Sequence, residues 1–303
     1  MKSDIMRWCL AVLMLLGMAL FLSSPAVAEI RSIPLDMKAC GAPDPRQGKK
    51  WDTEYEDESI QVQIFTADRK PKSSLTKITA HWAHIKIADP SQLRTTMSNE
   101  SYDDETLAYP WKMAEKVNAI VACNGDFMKY KYNVGYVVKQ GVFYRDALDG
   151  TRDILIIDDR GDFHVVIKAT SDQMAEKIRE MEAEGRQVVN TFSFGPVLVL
   201  DGEIQDTTMM EFESHIATQR IVIAQLGELE YAIIEVDGGD GSGMNMQELA
   251  TYVTILYPDC KVAYNLDGGG STQLIWHSSR LHKTPGCRPV SDIIYFASAD
   301  YKD

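Results

Sequence analysis

Short apolar runs that stop abruptly at polar, glycine-containing turns recur along the whole chain, and this pattern predicts more strands than helices. Gln61 to Ala67 and Lys77 to Ala88 read as strands joined through Arg69-Lys70-Pro71-Lys72. Ala119 to Cys123, Val134 to Val138, Val142 to Tyr144, Ile154 to Ile157, Phe163 to Ile167 and Val197 to Leu200 continue the series. Ile221 to Leu226 pairs with Tyr231 to Val236 across Gly227-Glu228, and Ile293 to Phe296 is the last strand. Three segments carry a helical stripe instead. Pro110 opens a helix over Trp111 to Asn118. Ser171, as N-cap, starts one in which Met174, Ile178 and Met181 share a face and which ends near Gly185. Asn245 and Glu248 form a capping-box start for a helix that buries Met246, Leu249, Ala250, Val253 and Leu256 and stops at Pro258. The expected fold is α+β: strand-rich mixed or antiparallel sheets with a few packed helices, in a single domain.

The two ends of the chain read differently. Lys2 and Arg7 precede an apolar run from Trp8 to Leu22, and Ala26-Val27-Ala28 has the small residues of a cleavage site, so residues 1–28 read as a signal peptide. The run falls short of the ~20 residues a spanning helix needs. Glu29 follows the expected cut, so a lipid anchor is not indicated, and a periplasmic or extracellular protein is expected. Residues 29–74 read as an irregular N-terminal segment with the first strand, rich in proline and glycine and holding the acidic cluster Glu54, Glu56, Asp57, Glu58. Residues 75–303 make up the main domain.

The 303-residue chain carries a net charge of −13. The leader holds two cations and one anion, so its loss leaves the remainder one unit more negative. That balance disfavours nucleic acid or an anionic membrane surface as partner. Cys40, Cys123, Cys260 and Cys287 remain after the leader, enough for two disulfides in three possible connectivities. His81 and His84, three apart on a strand, point to opposite faces and suit structural roles better than joint metal ligation.

Candidate chemistry lies where strands end. Asn124-Gly125-Asp126-Phe127, Asp237-Gly238-Gly239-Asp240 and Asn265-Leu266-Asp267-Gly268-Gly269-Gly270-Ser271 each place an acid beside glycine just past an apolar run. Three loops of one chemistry suggest strand ends converging on a shared pocket. The glycine run lets a ligand approach the backbone, and its amides can form an anion-binding nest. Carboxylates and backbone oxygens at Asp237, Asp240 and Asp267 also suit Ca²⁺, although without EF-hand spacing; no cofactor is otherwise expected.

With Gly195-Pro196, Asp201-Gly202, Gln219-Arg220 and Arg288-Pro289-Val290-Ser291, these motifs stand in an order that resembles the phosphodiester glycosidase family. Its members are N-acetylglucosamine-1-phosphodiester alpha-N-acetylglucosaminidase-like enzymes, including bacterial proteins associated with exopolysaccharide biosynthesis. The resemblance spans roughly residues 75 to 300 and is most specific at the NLDGGGS run. It implies an exported hydrolase that cleaves a sugar-1-phosphodiester to free sugar and a phosphomonoester on a cell-envelope or polysaccharide glycan. It assigns catalysis to Asp126, Asp267, Asn124 and Asp237. Phosphate binding falls to Arg220, Arg288, the Gly268, Gly269 and Gly270 amides, and Ser271. Relatives usually carry Asp-Gly-Arg where this chain has Asp237-Gly238-Gly239. A non-catalytic carbohydrate-binding or exopolysaccharide-assembly protein on the same fold is the alternative.

Overall fold

A computed structural model describes residues 52–99, 102, 105–126, 134–207, 214–239, 242–282 and 286–299. All of them fall in one compact unit, Ser32–Asp303. The strands are β1 (Glu54–Glu56), β2 (Ile60–Arg69), β3 (Ile78–Ile87), β4 (Leu93–Met97), β5 (Val121–Asn124), β6 (Gly135–Lys139), β7 (Val142–Ala147), β8 (Ile154–Asp158), β9 (Phe163–Val166), β10 (Val188–Phe192), β11 (Val197–Leu200), β12 (Glu203–Ile204), β13 (Arg220–Gly227), β14 (Glu230–Val236), β15 (Val262–Asn265), β16 (Leu274–Trp276), β17 (Ser279–Arg280) and β18 (Asp292–Phe296). The helices are α1 (Pro110–Lys116), α2 (Ser171–Ala183) and α3 (Met246–Leu256).

An eight-stranded sheet in the order β1-β2-β3-β14-β13-β15-β11-β12 faces a five-stranded sheet, β17-β16-β5-β18-β4, and the three-stranded sheet β10-β8-β9. Strand pairing is antiparallel in each. Alternation assigns each face its partner. Ile85, Ile223, Ile233, Tyr264 and Leu266 point inward against Val121, Cys123, Ile294 and Phe296. On the outer face of the large sheet, Val222, Ala224, Ile234 and Ala263 meet Met246, Leu249 and Val253 of α3. Met113 and Ala114 of α1 cover the back of the five-stranded sheet at Ala122, Ile293 and Tyr295. The molecule is thus helix, sheet, sheet, helix, an α+β fold.

Several expectations shift in detail. The N-cap of α2 is Thr170 rather than Ser171, because Thr170 and Gln173 exchange side-chain and backbone bonds as a capping box. Strand β1 forms inside the acidic cluster taken as irregular: Tyr55 is buried between exposed Glu54 and Glu56, and the three residues pair with β2. Strands β4 and β10 were not foreseen. Cys123, Cys260 and Cys287 are free thiols, so the disulfides that the cysteine count permits do not form among the described residues; Cys40 lies outside them. His81 and His84 do part company: His81 Nδ1 lies 2.9 Å from Thr66 Oγ1, and His84 Nε2 lies 2.6 Å from Glu230.

Candidate active site

The site starts from β15. Tyr264 is fully buried, its hydroxyl set 2.6 Å from the Asp153 carbonyl and 3.0 Å from that of Phe192, which holds the strand in the core. The strand therefore delivers Asp267 to a fixed point at its end. The glycines that follow are there for lack of room. A Cβ at Gly270 would lie 2.5 Å from the Gly286 carbonyl oxygen, and one at Gly268 would lie 3.0 Å from that of Gln219. Gly269 takes φ +57, which favours glycine. Its amide donates to the Gln219 carbonyl (3.0 Å), so this N–H is spent inside the protein instead of completing an anion nest as expected.

Asp267 is nearly buried, and its carboxylate is well partnered. Ser271 Oγ donates to it at 2.5 Å, and Arg288 Nη2 lies 3.2 Å away; Arg288 Nε in turn donates to Ser271 Oγ at 2.8 Å. The Arg288 side chain keeps 57% of its surface exposed, against 12% for Asp267. Burial pushes the Asp267 carboxyl above the usual carboxylate range, and Ser271 and Arg288 only partly offset it. The result is a desolvated acid with an exposed cation beside it.

A second loop is stitched to the first. Asn124, fully buried at the end of β5, donates Nδ2 to the Asp267 carbonyl (2.7 Å) and accepts the Gln273 amide on Oδ1 (3.0 Å). The Asp267 amide donates to the Gly125 carbonyl at 3.3 Å. Next in the chain, Asp126 is 2% exposed. Its Oδ2 accepts the Ser193 amide, its own amide donates to Asp292 Oδ1 (2.9 Å), and its carbonyl accepts Ser291 Oγ (3.1 Å). Phe127 lies outside the described residues.

The other expected residues stand further off. Strand β13 separates β14 from β15, which puts Asp237 about 10 Å from Asp267 across two strand spacings. Asp237 Oδ1 accepts the Thr79 amide (2.6 Å), and Oδ2 lies 3.7 Å from His282 Nε2. His282 stacks on His81 with ring centroids 5.5 Å apart. Arg220 is 3% exposed; its Nε and Nη2 donate to the carbonyls of Met244 and Ile216, so it braces the backbone behind Gly268. Among the described residues no group of three His, Cys, Asp or Glu side chains is arranged for a metal; Asp240, one of the proposed calcium ligands, lies outside them.

Sequence reasoning passed over Asp292, Ser193, Gln273 and Lys139. Asp292 had a signal, a carboxylate heading the apolar run of β18. Ser193 and Lys139 touch the site from distant parts of the chain and carried none, and Gln273 stands just past the Asp267–Ser271 loop without an acid or glycine to mark it.

A sheet-on-sheet core thus brings two acidic loops together at its strand ends, with an arginine beside one of them. A family profile for phosphodiester glycosidases matches residues 117–297, more than half of the chain. The chain belongs to the phosphodiester glycosidase family, a family of hydrolases. Among solved structures it is similar to the catalytic domain of zebrafish N-acetylglucosamine-1-phosphodiester alpha-N-acetylglucosaminidase, auto-inhibited by its pro-peptide. The TM-score is 0.62 at 18% identity, over 82% of this chain and 86% of that one. It is also similar to a hypothetical protein from Synechocystis, with a TM-score of 0.53 at 15% identity, over 78% of this chain and 62% of that one. At such identities the likeness concerns the fold. No curated protein sequence matches the chain significantly.

Proposed function

We propose that the seam between the Asn124–Asp126 and Asp267–Ser271 loops hydrolyses a sugar-1-phosphodiester. The anomeric C–O bond breaks, water supplies the new hydroxyl, and a phosphomonoester departs. The observation that carries this reading is the desolvated Asp267 carboxylate beside the half-exposed Arg288 guanidinium. The phosphate is already a good leaving group, so the main demands are stabilising its charge and that of an oxocarbenium-like sugar. Arg288 meets the first by turning its exposed face to phosphate. Asp267, whose proton affinity is raised by burial, is poised to handle the proton of the attacking water or to stabilise the sugar cation, while the locked Asp126 holds negative charge nearby. Arg220, buried against carbonyls, acts in this scheme as a brace for Gly268.

The similar zebrafish structure supports N-acetylglucosamine as the sugar to try first. The leader-like residues 1–28 support export, and an envelope or extracellular polysaccharide is the matching carrier of the phosphodiester. The test is incubation with an alkyl phosphodiester of N-acetylglucosamine-1-phosphate. Sugar release is expected to fall about a thousandfold in Asp267→Asn, within the range a proton-handling group supplies. In Arg288→Ala the KM is expected to rise. Unchanged turnover in Asp267→Asn would overturn the assignment.

A further inference from the structure

Beneath the Asn124–Asp126 loop lies an ion pair that no part of the proposed chemistry uses. Lys139, at the end of β6, and Asp292, at the start of β18, meet at 2.9 Å with 3% and 0% of their side chains exposed. Such a pair is weak evidence of stabilisation, since the desolvation of both charges offsets much of their attraction. Its contacts show what it holds. Asp292 Oδ1 accepts the Asp126 amide at 2.9 Å, and the Asp292 carbonyl accepts the Gly125 amide at 3.0 Å. The carboxylate presses so close that a Cβ at Gly125 would lie 2.6–2.8 Å from its three terminal atoms. Lys139 Nζ is anchored on its other sides by the Thr191 carbonyl at 3.0 Å and the face of Phe192 at 3.6 Å. Thr191 and Phe192 lie just ahead of Ser193, whose amide meets the Asp126 carboxylate.

We infer that Lys139 and Asp292 are positioning residues: a buried ionic pin, made from β6 and β18, that sets the backbone and hence the carboxylate of Asp126. The pin works through hydrogen bonds to the loop and does not touch substrate. Its bearing on turnover rests on the phosphodiester reading above; its bearing on the loop does not.

Two double variants test it, each removing both charges so that neither is left buried alone. Lys139→Met with Asp292→Ala deletes the acceptor for the Asp126 amide. Lys139→Met with Asp292→Asn retains one. Hydrogen exchange of the Gly125 and Asp126 amides is expected to speed up at least tenfold in the alanine pair and to fall between the alanine pair and wild type in the asparagine pair, which restores the acceptor but not the charge pair. Amides of β13 and β14 should stay protected in both. With the phosphodiester substrate, kcat is expected to fall at least tenfold in the alanine pair with KM within about twofold, and to recover only in part in the asparagine pair; full recovery there would overturn the role of Lys139. Equal exchange at these two amides in wild type and both variants would overturn the pin, whatever the activity. Selective exchange in a wild-type protein that releases no sugar would uphold the pin and defeat the hydrolytic reading instead.

Discussion

Asp267 holds its place against its own solvation. The fold raises its proton affinity, so over the interval just above the usual carboxylate range the folded state keeps a proton that the unfolded chain has lost. Stability therefore falls as pH rises through that interval, and above it the penalty stays in full. Asp267→Asn lifts this penalty. Its melting temperature at pH 7 is expected to exceed that of wild type by a few degrees, with the gap closing as pH is lowered toward 4, while turnover is lost. Thermal melts at both pH values would show it. Gly125 sits at the opposite extreme: Gly125→Ala must displace the Asp292 carboxylate or the loop. A loss of about 1–3 kcal/mol is expected, read by denaturant titration, together with reduced activity. At this scale the candidate residues were legible as a chemical pattern, because an acid after an apolar run followed by glycine marks a strand end whatever the surroundings. The division of labour among them was not. Arg220 and Arg288 look alike in the sequence, and only burial separates the brace from the exposed cation.

Elements with a long, regular stripe were readable, and short ones were not. Helix α3 followed from its capping box and its buried Met246, Leu249, Ala250 and Val253. The β2–β3 and β13–β14 pairs followed from alternation across a turn. Strand β4, Leu-Arg-Thr-Thr-Met, gives no such signal, because its polar members are satisfied by remote partners such as Asn190, 2.7 Å from Thr95 Oγ1. The boundary of α2 was displaced by one residue because Thr170 and Ser171 are both competent caps, and Gln173 stands at the spacing that favours Thr170. Thr170→Ala is expected to cost about 1 kcal/mol of stability, as measured by denaturant titration, and to leave catalysis unchanged, since α2 contributes nothing to the Asp267 seam.

At the level of the whole molecule, the α+β class was legible from strand-like segments outnumbering helical ones, whereas the order of strands within the sheets was not. Residues 29–74, set outside the main domain as an irregular segment with the first strand, supply β1 and β2 of the large sheet. Strand β3 then pairs with the full length of β14, from Glu230 opposite Lys86 to Val236 opposite Ala80. The matched family region begins only at residue 117. A protein cut to begin at Val117 would retain the candidate catalytic residues yet leave β14 with a bare edge of unpaired amides and carbonyls and an uncovered apolar flank. Such a fragment is expected to aggregate and to show no cooperative melt by circular dichroism, whereas one beginning at Trp51 should melt as a unit. For anyone trimming this enzyme for crystals or assays, the safe scissors lie upstream of the acidic stretch, since the smallest self-sufficient piece outruns the region by which its kinship is recognised.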